Sequence, residues 1–222
     1  MAGENFLSIE ETARTLGVST RHARRLADSG AVTKIARGLI DRSSVDRYLR
    51  SRRQGRTRAW AEHTAWGAVA LLAGRDADWL GASQASRLRS TLRQITGVED
   101  LLARMRERAH VHVFEAHRAA LPRLQELVVT SNLGLLGITD AVGDGVDGYL
   151  AAGDLHEVVR SLGVRADADG RAVLRVTGFD ADLTRALVDT SVVAALDAAT
   201  STDPRLRGVG QRVLGDLLET YR

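Results

Sequence analysis

At 222 residues, 44% hydrophobic and 27% charged, the chain has material for one large domain or two smaller ones, and two are expected. The absence of cysteine excludes disulfides, thiolate zinc sites and sulfur redox chemistry, while the lack of a long apolar run or a signal-peptide layout in "MAGENFLSIEET" predicts a cytoplasmic chain without a membrane partner. The net charge of +3 hides an asymmetry: residues 1–58 carry 13 Arg and Lys against 6 Asp and Glu, and the rest carries 18 against 22. Basic charge gathered at one end is the footprint of a nucleic-acid-binding segment joined to a weakly acidic body.

In chain order, Ser8 followed by Glu11 is a capping box that starts a helix. Ile9, Ala13 and Leu16 then share one face, and Gly17 stops the helix where a positive φ is cheap. Val18 fills the corner. Ser19 caps a second helix whose Ala23 and Leu26 face inward, while Thr20, Arg21, Arg24, Arg25 and Asp28 face outward and Gly30 ends it. Two short helices joined by a three-residue turn, with the small Ala13 at the crossing, form a helix-turn-helix whose second member enters a major groove. Two short strands, about 32–35 and 39–41, flank Arg37-Gly38 as a β wing. Ser43 or Ser44 caps a third helix through Val45, Tyr48 and Leu49.

This arrangement nominates DNA-binding residues by type. Arg21, Arg24 and Arg25 are expected to make direct contacts, with Thr20 and His22 at the N-terminal end of the helix near base edges and the capping Ser19 counted among the DNA-binding residues. Lys34 and Arg37 belong to the wing. In "RSRRQGRTRAW", Arg52, Arg53, Arg56 and Arg58 form a basic joint that contacts phosphates without reading sequence, or else serves as a solvated tether.

The stretch "FLSIEETARTLGVSTRHARRLADSGAVTKIARGLIDRSSVDRYL" resembles the winged helix-turn-helix of the excisionase and MerR-like families over roughly the first fifty residues. The resemblance implies binding to double-stranded operator DNA. The alternative for the same residues is an arginine-rich solvated helix in a purely structural three-helix unit. Capping, turn glycine, inward spacing and wing, taken together, favour DNA.

From Trp60 the pattern changes to apolar helices, in "AWGAVALLAG" and "LGASQASRLRSTLRQI". A helix from Val98 through Ala109 leads into a strand, "VHVFEAH"; "LPRLQELVV" returns to helix and strand; "VDGYLAAGDLHEVVRSLG" reads as strand, turn and helix. "VRADADGRAVLRV" alternates on both sides of Asp169-Gly170 and predicts a β-hairpin. Two helices close the chain, about 192–199 and 204–221, the second opened by Asp203-Pro204. The predicted fold is thus α+β and mostly helical: a winged helix-turn-helix domain over 1–50, a basic linker over 51–59, and a larger helical domain over 60–222 with a small β-sheet or hairpin.

Chemistry in the body has weak candidates. His110, His112 and His117 have ligand-like spacing but no carboxylate completes a motif, and a strand with solvent-facing histidines explains them. Asp140, Asp144, Asp147 and Asp154 lack the alternation of a calcium loop. No nucleophile elbow, P-loop or dinucleotide fingerprint appears, so no catalytic residue, metal or cofactor is expected and the chain is not read as an enzyme.

The order "AWGAVALLAG", "SRLRSTLRQI", "ERAHVHVFEAH", "VDGYLAAGDLHEVV", "AVLRV" and "VVAALDAATSTDPRLRGVGQRVLGDLL" is similar to that of AbiEi-like antitoxins of bacterial toxin-antitoxin systems. That resemblance implies a transcriptional repressor of its own operon that counteracts a nucleotidyltransferase-like toxin, with the toxin as a protein partner and room for a homodimer. The alternative is an excisionase-like or prophage regulator with no toxin.

Overall fold

Ser8 decides where the first helix begins. Its hydroxyl accepts the Glu11 N–H at 3.1 Å while the Glu11 carboxylate accepts the Ser8 N–H at 2.8 Å, so two otherwise orphaned donors are satisfied at the start of α1, Ile9–Leu16. At the other end Gly17 takes the left-handed conformation, φ 63°, and the Val18 N–H returns to the Ala13 carbonyl at 3.0 Å. Two residues after Gly17, Ser19 accepts the His22 N–H at 3.2 Å and opens α2, Thr20–Asp28. The computed structural model describes residues 6–28, 31–36, 38–42, 44–46, 48–49, 57–139 and 145–222. By its contacts the chain divides into two units, Met1–Arg58 and Ala59–Arg222.

In the first unit α1 buries Ile9, Thr12, Ala13 and Leu16, and α2 buries Ala23, Leu26 and Ala27. They pack with Leu7, Val32, Ile40 and Val45 into one cluster, flanked by Val18, Tyr48 and Leu49. Fully burying each large aliphatic contributes about 1.5–3 kcal/mol. The unit also holds a three-stranded antiparallel sheet in the order β1-β3-β2, where β1 is Phe6–Ser8, β2 Lys34–Ala36 and β3 Leu39–Asp41. Strand β1 was not expected: two residues and the helix cap that follows them carry no readable alternation. The strand expected over 32–35 begins two residues later, because Val32 goes into the core. Nor does Ser44 cap the third helical stretch: its own N–H is taken by the Asp41 carboxylate at 3.0 Å, so Asp41 fills the capping role, and the buried Ser44 hydroxyl accepts the Thr33 N–H at 2.9 Å. Gly30 and Ser43 lie outside the described residues.

The second unit is built on a helix whose last eight residues are buried on every side. Helix α3, Glu62–Leu72, buries every residue from Ala65 to Leu72. A helix polar on no side belongs inside. Around it lie α4, Gly81–Gln94, and α5, Val98–Met105. The helix expected to reach Ala109 stops at Met105 and tightens into a 3₁₀ turn over Arg106–Arg108, which turns Arg108 inward before β4, His110–Glu115, begins pairing.

β5, Val146–Ala151, β6, Arg165–Ala166, and β7, Ala172–Thr177, complete a sheet in the order β5-β7-β4-β6. β5 and β7 are parallel, joined through α7, Leu155–Leu162, while β4 is antiparallel to both β7 and β6. The expected hairpin across Asp169-Gly170 is therefore wrong. The turn exists, with the Gly170 N–H on the Asp167 carbonyl at 3.2 Å, but it carries the chain from one side of β4 to the other. Gly170 explains how: a Cβ there would collide with the Phe114 backbone, so a residue without a side chain lets the turn cross β4 closely.

One face of this sheet presents Phe114, Val146, Leu150, Ala172, Leu174 and Val176 to α6, Leu121–Leu127, and α7. Across the other face Tyr149 joins the core of the helical layer, which includes α8, Ala181–Val188, α9, Ser191–Thr200, and α10, Pro204–Tyr221. Asp203 caps α10 by accepting the Arg205 N–H at 2.8 Å, with Pro204 at its first position.

Candidate nucleic-acid interface and a buried ionic cluster

Because Ala23, Leu26 and Ala27 hold α2 against the core, the rest of that helix is turned outward. Thr20, Arg21, Arg24 and Arg25 are exposed and His22 half-buried. Thr20 and Arg24, like Arg21 and Arg25, stand four residues apart, so the four make two adjacent rows on one face. Ser19 is exposed at the helix start, its hydroxyl spent on the cap. The Arg25 guanidinium lies 2.9 Å from His22 Nδ1, a contact that holds it close to its own helix. Lys34, on β2, reaches the Asp28 carboxylate at 3.8 Å with both side chains largely in solvent. Arg58 is exposed; Arg37, Arg52, Arg53 and Arg56 lie outside the described residues.

An open cavity of ≈ 510 Å³ on this unit is lined by Ile9, Glu10, Arg24, Ala27, Asp28, Lys34 and Gly38. Two carboxylates among two cations make it a poor place for an anion. The outward rows of α2 are different. They carry three guanidiniums and the Thr20 hydroxyl, donors that match phosphate oxygens and the purine edge of guanine.

Among the body's candidates, His110 and His112 are exposed on β4, and His117 accepts the Ala119 N–H at 3.2 Å to cap a 3₁₀ turn. No three potential metal ligands converge among the described residues. Asp154 is exposed ahead of α7, and Asp140 and Asp144 lie outside the described residues.

Asp147 belongs to a feature that the sequence reading missed. It grips Arg175 through two bonds, Nε to Oδ1 at 2.8 Å and Nη2 to Oδ2 at 2.9 Å. Behind it Asp197 Oδ1 receives Arg108 Nη2 at 2.6 Å and the Tyr149 hydroxyl at 2.8 Å, and lies 3.5 Å from Arg175 Nε. Arg108 Nε donates to the Tyr149 oxygen at 3.1 Å, closing the ring. Two guanidiniums and two carboxylates balance in charge between the sheet and the helices. Burial disfavours the Arg175 charge, but Asp197 and Asp147 overcome it and raise its pKa above the ordinary arginine value. Arg108 likewise is raised despite burial by the Tyr149 and Asp197 oxygens. Burial pushes the Tyr149 hydroxyl well above the ordinary tyrosine value, so it stays protonated and donates to Asp197. Signals did exist: a lone Arg inside "AVLRVT" and a lone Asp inside "SVVAALDAAT" interrupt otherwise apolar, buried elements.

Asp147 and Asp197 also line a cavity of ≈ 590 Å³ together with Thr130, Ser131, Asn132 and Ser201. No described helix is long and apolar enough to cross a membrane. No protein-family model, curated protein or solved structure matches the chain.

Proposed function

We propose that the chain is a sequence-specific regulator of transcription whose first unit binds double-stranded DNA through α2, and that it acts as the antitoxin of a toxin-antitoxin module. The observation that carries the DNA reading is the outward face of α2: Thr20, Arg21, Arg24 and Arg25 are exposed on a helix whose opposite face is locked into the core. A rigid helix on a short turn presents its side chains at fixed spacing, which base readout requires. β2 and β3 then serve as the wing, with Lys34 beside the helix end. Arg37 and the arginines of the joint add phosphate contacts in this reading.

The antitoxin half rests on the resemblance of the body to AbiEi-like antitoxins and on a body of 164 residues with a core of its own. In this reading the first unit represses the operon and the second opposes a nucleotidyltransferase-like toxin. A gel-shift titration with the duplex upstream of the gene tests the first half; wild-type affinity in both Arg21→Ala and Arg25→Ala would remove α2 from recognition. Co-expression with the neighbouring toxin tests the second. Operator binding with no protection by the full chain would leave a prophage-type regulator.

A further inference from the structure

The body is weakly acidic as a whole, yet α4 is not: its fourteen residues include Arg87, Arg89 and Arg93 and no acid. Ala85, Leu88 and Leu92 fix its inner side in the core. What remains outward is a stripe at helical spacing, exposed at Ser83, Ser86, Arg87, Ser90, Arg93 and Gln94. Arg89 is partly neutralised by Asp76 at 3.7 Å. The guanidiniums of Arg87 and Arg93 make no hydrogen bond or ion pair with any described residue, although Arg93 lies near enough to Tyr221 to oppose the rise that burial gives its hydroxyl. At the helix end, where the dipole is negative, Arg222 Nη2 donates to the Ile95 carbonyl at 3.1 Å and adds a further cation.

We propose that this face of α4 is a second nucleic-acid contact, taking the phosphate backbone of duplex DNA through Arg87 and Arg93 with Ser83, Ser86 and Ser90 as neutral donors. It rests on the DNA-binding reading above. The chemistry selects the partner: guanidiniums and hydroxyls on a straight row of a helix that itself carries no acid and no aromatic fit phosphate oxygens and offer no ring on that row for stacking unpaired bases. Such a contact carries no sequence information. It gives affinity for any duplex and a steeper dependence on salt.

The test uses the full chain and compares wild type with Arg87→Ala/Arg93→Ala, Arg87→Lys/Arg93→Lys and Arg21→Ala/Arg25→Ala, on the upstream duplex and on an unrelated duplex across a salt series. The α4 alanine pair should bind both duplexes more weakly by the same factor and flatten log affinity against log salt by about 1.8, which is two lost phosphate contacts at about 0.9 each. The lysine pair should keep the wild-type slope, since charge rather than packing is at stake. Circular dichroism matching wild type shows that these exposed substitutions leave the fold intact. An unchanged slope in the alanine pair, alongside weakened operator binding in the α2 pair, would overturn the α4 contact and leave the α2 reading standing. Loss of toxin protection with unchanged DNA binding would assign the stripe to an acidic protein partner and overturn it too. No duplex binding by wild type would remove both readings together.

Discussion

Arg21 and Arg25 stand four apart on the exposed side of α2, yet they are not equivalent, because Arg25 lies 2.9 Å from His22 Nδ1 while no described residue makes such a contact with Arg21. Each good bidentate base contact supplies roughly 1–3 kcal/mol. We expect Arg21→Ala and Arg25→Ala each to weaken operator binding about tenfold or more at fixed salt, near 1.4 kcal/mol, in gel-shift titrations. A residue of the opposite kind is Asp197, where one oxygen serves Arg108, Tyr149 and, more distantly, Arg175. Asp197→Ala leaves two buried guanidiniums with only Asp147 between them, and breaking one side of a buried ion set costs about 3–5 kcal/mol. Urea unfolding of the full chain should show that loss; a change under about 1 kcal/mol would mean that water or a shifted side chain replaces the carboxylate. The α2 arginines were legible in the sequence because amphipathic spacing sorts inside from outside. The ionic cluster was not, because its members come from a 3₁₀ turn, two strands and a helix, and only the folded sheet order brings them together.

At the scale of elements, what could be read locally was local. Ser8, Gly17, Ser19, Asp203 and Pro204 set helix ends through contacts within about four residues, and those ends are where the spacing placed them. The pairing of β7 is not local. The alternation on both sides of Asp169-Gly170 is the same whether the two strands pair with each other or with β4 between them, and the choice is made by β4 arriving from 55 residues earlier to pair with both. The capping box of α1 makes its own prediction. Hydrogen bonds from Ser8, first the backbone and then the hydroxyl, hold the Glu11 pKa below the ordinary glutamate value. A depressed folded pKa contributes stability above the unfolded value and loses it as pH falls through the folded one. Relative to the intrinsic exchange rate at each pH, the protection of the Glu11 and Thr12 amides should therefore fall on acidification below roughly pH 4.5, and Glu11→Gln, which keeps the hydrogen-bonding shape without the charge, should flatten that dependence. In the body, Gly210 lets α10 lie directly on α9, since a Cβ there would strike the Ala199 N and the Ala195 carbonyl oxygen. Gly210→Ala must move one helix off the other, at about 1–3 kcal/mol by thermal or urea unfolding; no loss would show that the pair slides freely.

Across the whole molecule the two units differ in charge, in size and in what stabilises them. Among the described residues the first has a cluster of ten buried hydrophobic residues and a three-stranded sheet whose Phe6, Ile35 and Leu39 remain exposed; the second has two larger clusters on either side of a four-stranded sheet. A unit of 58 residues buries a smaller share of its surface than one of 164, so the body should be the more stable of the two. The charge asymmetry that marked this division was visible in the sequence; the content of the body was not, because a core of Ala, Val and Leu says that a domain folds and not what it meets. If the body opposes a toxin and the first unit reads DNA, the two activities should separate at Arg58. A fragment of residues 59–222 should unfold cooperatively by circular dichroism and protect cells from the neighbouring toxin on co-expression, while residues 1–58 should bind the operator more weakly than the full chain and give no protection. The weaker binding follows from losing the α4 phosphate contacts along with the rest of the body. Protection by residues 1–58 alone, or by neither fragment nor the full chain, would end the antitoxin reading and leave a DNA-binding regulator of the excisionase or prophage kind.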